Sequence, residues 1–434
     1  MTSRRNFLGF SSMGAVLSTV ATTSAEAKSA IAPEQNKARE DLNYNPVRTP
    51  NGWTLPYKEK NGVKEFHLVA EEIEHEFAPG STAKCWGYNG TTPGPTIEAV
   101  EGDRVRILVT NALKEHTTVH WHGLILPSGM DGVGGLSQPQ IAPGETFAYE
   151  FNLKQNGTHM YHPHADEMTQ MAFGMMGMFI IHPKEPEPID RDYCLLTHNW
   201  AMHPGTSRPD PSVMSDFDLW SFNSKVFPAT ESIVARTGER VRIRVGNLSM
   251  WHHPIHLHGT SFTITGSDGG RWPQSAWRSE STEIVGVGQT RDIEFVATPG
   301  DWAFHCHMSH HTMNVMGHNI PNPTGVNMRG LDGKIRDHLP EFMAMGENGM
   351  AEHQQHIDAG RHSGPANTLP MMSGNGPYGP IEMGGMFTLV KVRDDITPND
   401  FSDPGWYHPP TATIAKRVSS NPNYGDPPRK PTAS

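Results

Sequence analysis

The residues with most chemistry to offer lie together in His305-Cys306-His307-Met308-Ser309-His310-His311-Thr312-Met313-Asn314-Val315-Met316. If Phe304 to His307 is a strand, successive side chains point to opposite faces. His305 and His307 then share one face and Cys306 takes the other. A thiolate, the imidazole of His311 and the thioether of Met316 suit a soft or borderline metal. One more histidine makes a His2Cys site with a long axial methionine, the blue-copper arrangement. The plain alternative is a buried free cysteine flanked by surface histidines. Three further pairs weigh against it: His120-Trp121-His122, His162-Pro163-His164 and His256-Leu257-His258. On a strand each pair sets two imidazoles about 6–7 Å apart on one face, at about 3.3 Å per residue. With His305 and His307 they supply eight imidazoles, enough for three metal ions and an open position.

In this order, the motifs HWHG (120–123), YHPH (161–164), HPIHLHG (253–259) and HCHMSHHTMNVM (305–316) resemble those of the multicopper oxidases, in their two-domain, small-laccase-like or cuprous-oxidase-like form. The resemblance covers about residues 58–320, with a returning strand near 386–392. It implies an all-β chain of two cupredoxin-like Greek-key β-sandwich domains, with a Met/His-rich insertion in the second. It implies copper as cofactor, four ions per functional unit: one type 1, one type 2 and two type 3. Under it Cys306, His253 and His311 hold the type 1 copper, with Met316 as weak axial ligand. His120 and His256 hold the type 2 ion, and His122, His162, His164, His258, His305 and His307 the type 3 pair.

The activity implied is one-electron oxidation of a phenol-like organic or of Cu(I), coupled to four-electron reduction of dioxygen to water. Cys306, His305 and His307 would link the two kinds of site. Asp131 follows the first pair where the family carries an acidic proton relay; its plain reading is a turn aspartate before Gly132. A second relay in many relatives is a glutamate four residues past the cysteine, where this chain has His310. Two-domain relatives close a head-to-tail ring, so a homotrimer is expected. Two rivals stand beside this reading. A copper nitrite reductase needs one three-histidine copper, fewer imidazoles than are present. A copper-sequestering or copper-tolerance protein needs no oxygen-reducing cluster.

The elements that must position these residues repeat. Trp86-Gly87-Tyr88-Asn89 matches Trp220-Ser221-Phe222-Asn223, and Gly102 to Ile107 matches Gly238 to Ile243. His120 and His122 match His256 and His258, Gly157 to His164 matches Gly300 to His307, and Met178-Phe179 matches Met386-Phe387. A repeat of 136–144 residues, rich in short strands, predicts two sandwiches of one type. The counterparts of His253, Cys306, His311 and Met316 are Thr117, Pro163, Met168 and Phe173, so only the second half can hold a type 1 copper. The expected division is an export signal at 1–27, an extended arm at 28–57, a first domain at 58–188, a second at 189–395 and a loose tail at 396–434. The second domain is interrupted by the insertion 318–382, with six methionines and five histidines. Met343, Met345 and Met350 there are a candidate Cu(I) site, against their plain use as core filler.

The 434 residues are 36% hydrophobic, with 43 glycines and 36 prolines, which fits short strands and many turns. Net charge is −11, and loss of residues 1–27, which carry Arg4, Arg5 and Glu26, leaves −12. That balance argues against nucleic acid and anionic membrane as partners. Arg4-Arg5, a modest apolar run and Ala25-Glu26-Ala27 read as a twin-arginine signal, hence a periplasmic or secreted protein. No stretch is long and apolar enough for a span. Cys85 and Cys194 are either a disulfide or two buried thiols on separate strands. His116, His159, His198 and His252 carry no assignment.

Overall fold

The computed structural model describes residues 44–202, 206–215, 217–314, 374–381 and 383–416. The twin-arginine segment, Met316 and most of the insertion, including Met343, Met345 and Met350, lie outside the described residues. The chain builds two β-sandwiches from the repeat. In the first half, the strands Lys58–Lys60, Val63–Ala78, Arg104–Asn111 and Thr146–Asn152 form one sheet, with Ser81–Tyr88 paired to Val63–Ala78. Its second sheet runs Ile97–Val100, Gly177–His182, Gly157–His162, His120–His122. In the second half, the first sheet runs Leu219–Phe222, Arg191–Trp200, Arg240–Asn247, Thr290–Val296, Phe262–Ser267, and is extended at Phe262–Ser267 by Gly270–Arg271 and Arg278–Glu280. The second runs Ile233–Arg236, Phe387–Arg393, Gly300–Cys306, His253–Leu257, Thr282–Val285. The shared strands keep one order in both halves; Lys58–Lys60 is particular to the first, and Phe262–Ser267, its two extensions and Thr282–Val285 to the second. Even the parallel pairs agree: Val63–Ala78 with Arg104–Asn111, and Arg191–Trp200 with Arg240–Asn247.

Each sandwich closes on its own apolar core, one around Phe66, Trp121 and Phe179, the other around Ile243, Phe262 and Phe304. A third cluster, with Met160, Met178, Cys194, Leu196 and Trp200, joins the halves. Beside it Arg244 bridges Asp192 (2.8 Å) and Thr158 (2.8 Å), and Thr158 donates to Asp292 (2.6 Å). Buried charges of this kind persist only when paired; here the charged partners lie in the second half and the Thr158 hydroxyl ties them to the first. Cys85 and Cys194 are free, buried thiols in that third cluster, the second of the two expected states. Burial pushes the Cys85 thiol up to about 12, which keeps it protonated and unreactive.

The segment expected as an extended arm is, over its described residues from Tyr44, a stitch between the halves. Cys194 N–H donates to Arg48 O (2.9 Å), Val47 N–H to Glu98 Oε2 (2.9 Å), and Val47 and Leu55 are buried. The segment read as a loose tail is docked over its first dozen residues. Arg191 donates to the carbonyls of Thr397 and Asp400, Phe401 lies 4.8 Å from the Arg191 guanidinium, and Lys391 pairs with Asp403. Its proline and aspartate content read as loose, but Phe401, Trp406 and Tyr407 each give it a cation to cover.

Candidate metal centre

Of the four histidine pairs only His120 and His122 lie wholly on a strand; the others straddle a strand end, with His164, His258 and His307 just past it, and the middle residue of every pair is core. Trp121, Leu257 and Cys306 are buried to within 1% exposure, and Pro163 is buried too. Burying one large apolar side chain is worth on the order of 2–3 kcal/mol. A one-residue slip would expose it and turn the histidines inward, so packing fixes the register. That register sets His120 opposite His162 and His256 opposite His305, the same pairing in both halves. Each half therefore gathers a tetrad: His120, His122, His162 and His164, and His256, His258, His305 and His307.

Within the first tetrad, ring centroids of His120 lie 5.8, 5.4 and 5.7 Å from His122, His162 and His164. In the second, His256 lies 4.8, 5.7 and 5.4 Å from His258, His305 and His307. Four rings are held alike. Nδ1–H of His120, His162, His256 and His305 donates to the carbonyls of Asp131 (2.8 Å), Pro163 (3.0 Å), Ser281 (2.6 Å) and Cys306 (2.8 Å). This leaves Nε2 bare, the tautomer a metal needs. His162 Nε2 faces His122 Nδ1 at 3.2 Å and His305 Nε2 faces His258 Nε2 at 3.1 Å, separations a proton or a cation must bridge. Burial takes His162 down to about 3 and His305 to about 4, so both are neutral donors at pH 7. Among the described residues no ring contact joins one tetrad to the other.

On the other face of the same strand, Cys306 Sγ lies 3.6 Å from His253 Nδ1 and 3.3 Å from His311 Nδ1, and the two nitrogens are 3.2 Å apart. The centre of that triangle is about 2 Å from each atom, the reach of a metal–nitrogen or metal–sulfur bond. All three side chains are fully buried. Burial pushes the Cys306 thiol up to about 12 and takes His253 down to about 3 and His311 to about 2. A soft thiolate and two neutral imidazoles in one plane fit copper. His311 is held by its backbone: Met386 N–H donates to His311 O (2.9 Å) and Gly384 N–H to Thr312 O (2.7 Å). Gly385 makes the close approach possible. A Cβ there would sit 2.4 Å from His311 O, and its φ is +57°.

The equivalent place in the first half is filled differently. Thr117 donates to Gln170 Oε1 (2.7 Å), and Phe173 packs on Trp86 at 5.0 Å. Met168 is half exposed. No soft donor triangle exists there among the described residues.

Asp131 is beside the first tetrad, its carboxylate 3.5 Å from His120 Nδ1. Glu167 was not anticipated: it lies 3.5 Å from His162 Nδ1 and 3.8 Å from His164 Nε2. Its signal was present, since it stands four residues past Pro163, where the second half has His310. Ser249 was also missed; its Oγ accepts from His253 Nε2–H at 2.7 Å. His198 is structural, donating from Nδ1 to Leu248 O (2.8 Å), and exposed His252 accepts from Val287 N–H (3.1 Å). His159 is buried beside Gly123 with neither ring nitrogen bonded among the described residues, and His116 is a backbone acceptor for Gln170.

Residues 70–186 and 203–325 each match a family model described as multicopper oxidase. Copper resistance protein A of Escherichia coli is 44% identical over 124 residues, 28% of this chain and 20% of that one. Multicopper oxidase MmcO of Mycobacterium tuberculosis is 28% identical over 247 residues, 49% of this chain and 48% of its own. The crystal structure of a blue copper oxidase from Nitrosomonas europaea superposes with a TM-score of 0.56 at 26% identity, covering 76% of this chain and 85% of that one. The chain thus spans a fifth of the first relative and about half of the second. The two matched segments fall on the two halves of the repeat, and the strand bearing Cys306 presents donors on both faces; the chain belongs to the multicopper oxidase family.

Proposed function

We propose that the protein oxidises a reductant one electron at a time and reduces dioxygen to water. The observation that carries this is the pair of donor sets on one strand: Cys306 completes a His2Cys triangle while His305 faces His258 in a histidine tetrad. Copper bound there would supply the redox chemistry, four ions in the type 1, type 2 and type 3 arrangement, with O2 + 4 e− + 4 H+ giving 2 H2O. The chain does the rest. Buried Cys306, His253 and His311 would hold the type 1 ion, with Met316 as a proposed further ligand. Backbone carbonyls fix the tautomers of His120, His162, His256 and His305. The peptide between His305 and Cys306 gives a covalent path of a few bonds between the two sites. Asp131, its carboxylate 3.5 Å from His120 Nδ1, is the proposed proton relay.

No ring contact joins the two tetrads of one chain among the described residues, and the cluster of eight imidazoles is proposed to form between chains. The first half of one subunit faces the second half of the next, and a ring of three closes. The mature protein is proposed to work in the periplasm or outside the cell after twin-arginine export, with phenol-like organics or Cu(I) as donors. No described helix is long and apolar enough to cross a membrane. A copper-tolerance role fits beside this reading, because the relative with 44% identity is a copper resistance protein. Oxygen uptake tests the proposal: copper-loaded protein should consume oxygen when given Cu(I) or a phenol. Full copper occupancy without oxygen uptake would leave only sequestration.

A further inference from the structure

The two imidazoles of the His2Cys triangle are restrained in different ways. His253 is anchored at its outer nitrogen, where Nε2–H donates to Ser249 Oγ. Among the described residues His311 has no such anchor. Its Nδ1 faces Cys306, and its buried Nε2 meets no hydrogen-bond partner among them. Instead the indole of Trp220 lies flat on the ring, centroids 3.5 Å apart and planes at 20°. Trp251 meets the same imidazole edge-on at 6.0 Å, and exposed His310 meets it at 4.2 Å. His311 is 0% and Trp220 2% exposed, so a donor arriving from solvent meets other side chains before either ring.

We propose that Trp220 is the positioning residue of His311: its stacked indole sets the imidazole plane that a hydrogen bond sets for His253, and it seals that ring from water. This rests on the copper reading of the triangle. An unbonded imidazole is free to turn about its last torsion, a broad two-fold well. Flat contact with a fully buried indole removes that freedom. The repeat separates this role from framework packing. Trp86, the counterpart of Trp220, packs on Phe173 at 5.0 Å with planes at 35°, and no ligand lies beneath it. The tryptophan belongs to both sandwiches, while the parallel stack belongs to the half with the donor triangle.

The test compares Trp220→Phe, Trp220→Leu and Trp220→Met in the copper-loaded full chain. The readouts are the position of the blue absorption band and the rate at which copper passes to a strong chelator. Phe keeps a flat ring and should hold both within about twofold of the parent. Leu and Met keep an apolar side chain without a ring; they should move the band and release copper roughly tenfold faster or more, the usual scale for residues that orient a ligand. Met serves if Leu does not fold. Leu or Met variants matching the parent in band and release rate overturn the proposal, as does a Phe variant no better than Leu. A parent protein that binds copper and never turns blue would instead defeat the copper assignment of the triangle.

Discussion

Cys306 and His305 are joined by one peptide bond and face different donor sets. Cys306 Sγ lies 3.3 Å from His311 Nδ1, and His305 Nε2 lies 3.1 Å from His258 Nε2. The alternation of a strand makes this arrangement, and both side chains are buried by it. Cys306→Ser should therefore abolish a blue absorption band and leave the copper held by the tetrads. Absorbance and metal analysis on the same sample check this. A variant still blue, or a colourless parent with full copper, would end the assignment.

His162→Ala removes an imidazole from the first tetrad and touches nothing in the triangle. The blue band should persist at parental intensity while oxygen uptake falls by at least about a hundredfold, the upper range for loss of a group in a metal site. Loss of both together would place His162 in the folding of the chain rather than in the tetrad.

Assembly should be required for oxygen chemistry and dispensable for colour. Light scattering on the active protein should return three times the chain mass. Conditions that yield monomers should stop oxygen uptake and spare the blue band, because the triangle is complete within one chain. A fully active monomer would contradict the ring.

Acid should destabilise the fold through buried neutral histidines. Burial takes His75 and His198 from the usual 6.5 down to about 4, against their backbone carbonyl partners Ser224 and Leu248. A folded-state value below the unfolded one means the unfolded chain takes up protons first. The stability these groups contribute is present above pH 6.5 and lost as pH falls from 6.5 to 4, up to about 3 kcal/mol each. Calorimetry from pH 7 to 4 on the metal-free protein should show the loss, and His75→Gln should flatten part of it. An unchanged slope in that variant would rule His75 out.

Gly385→Ala should loosen the His2Cys site from a distance. The new Cβ would meet His311 O at 2.4 Å, on a backbone with φ +57°. Strain of this kind costs about 1–3 kcal/mol. The melting temperature should fall and the blue band should weaken. A variant with parental melting and parental colour would mean that the strand resuming at Phe387 does not set the position of His311.

Much of this protein was legible from spacing alone. Alternation along a strand is a local property, so His-x-His and His-Cys-His declared which side chains share a face. The repeat then declared two sandwiches and, through Thr117 and Pro163, which half lacks the donor triangle. Tertiary structure decided what depends on contacts distant in the chain. His253 and His311 are 58 residues apart, and only packing could bring their nitrogens to 3.2 Å. Trp220 sits on His311 because two sheets of one sandwich face each other, which no window of sequence contains. Cys85 and Cys194 share a buried cluster as free thiols, a matter of side-chain direction rather than spacing. The tail at 396–407 docks because three aromatic rings find cations elsewhere in the fold, and local composition does not record where those cations are.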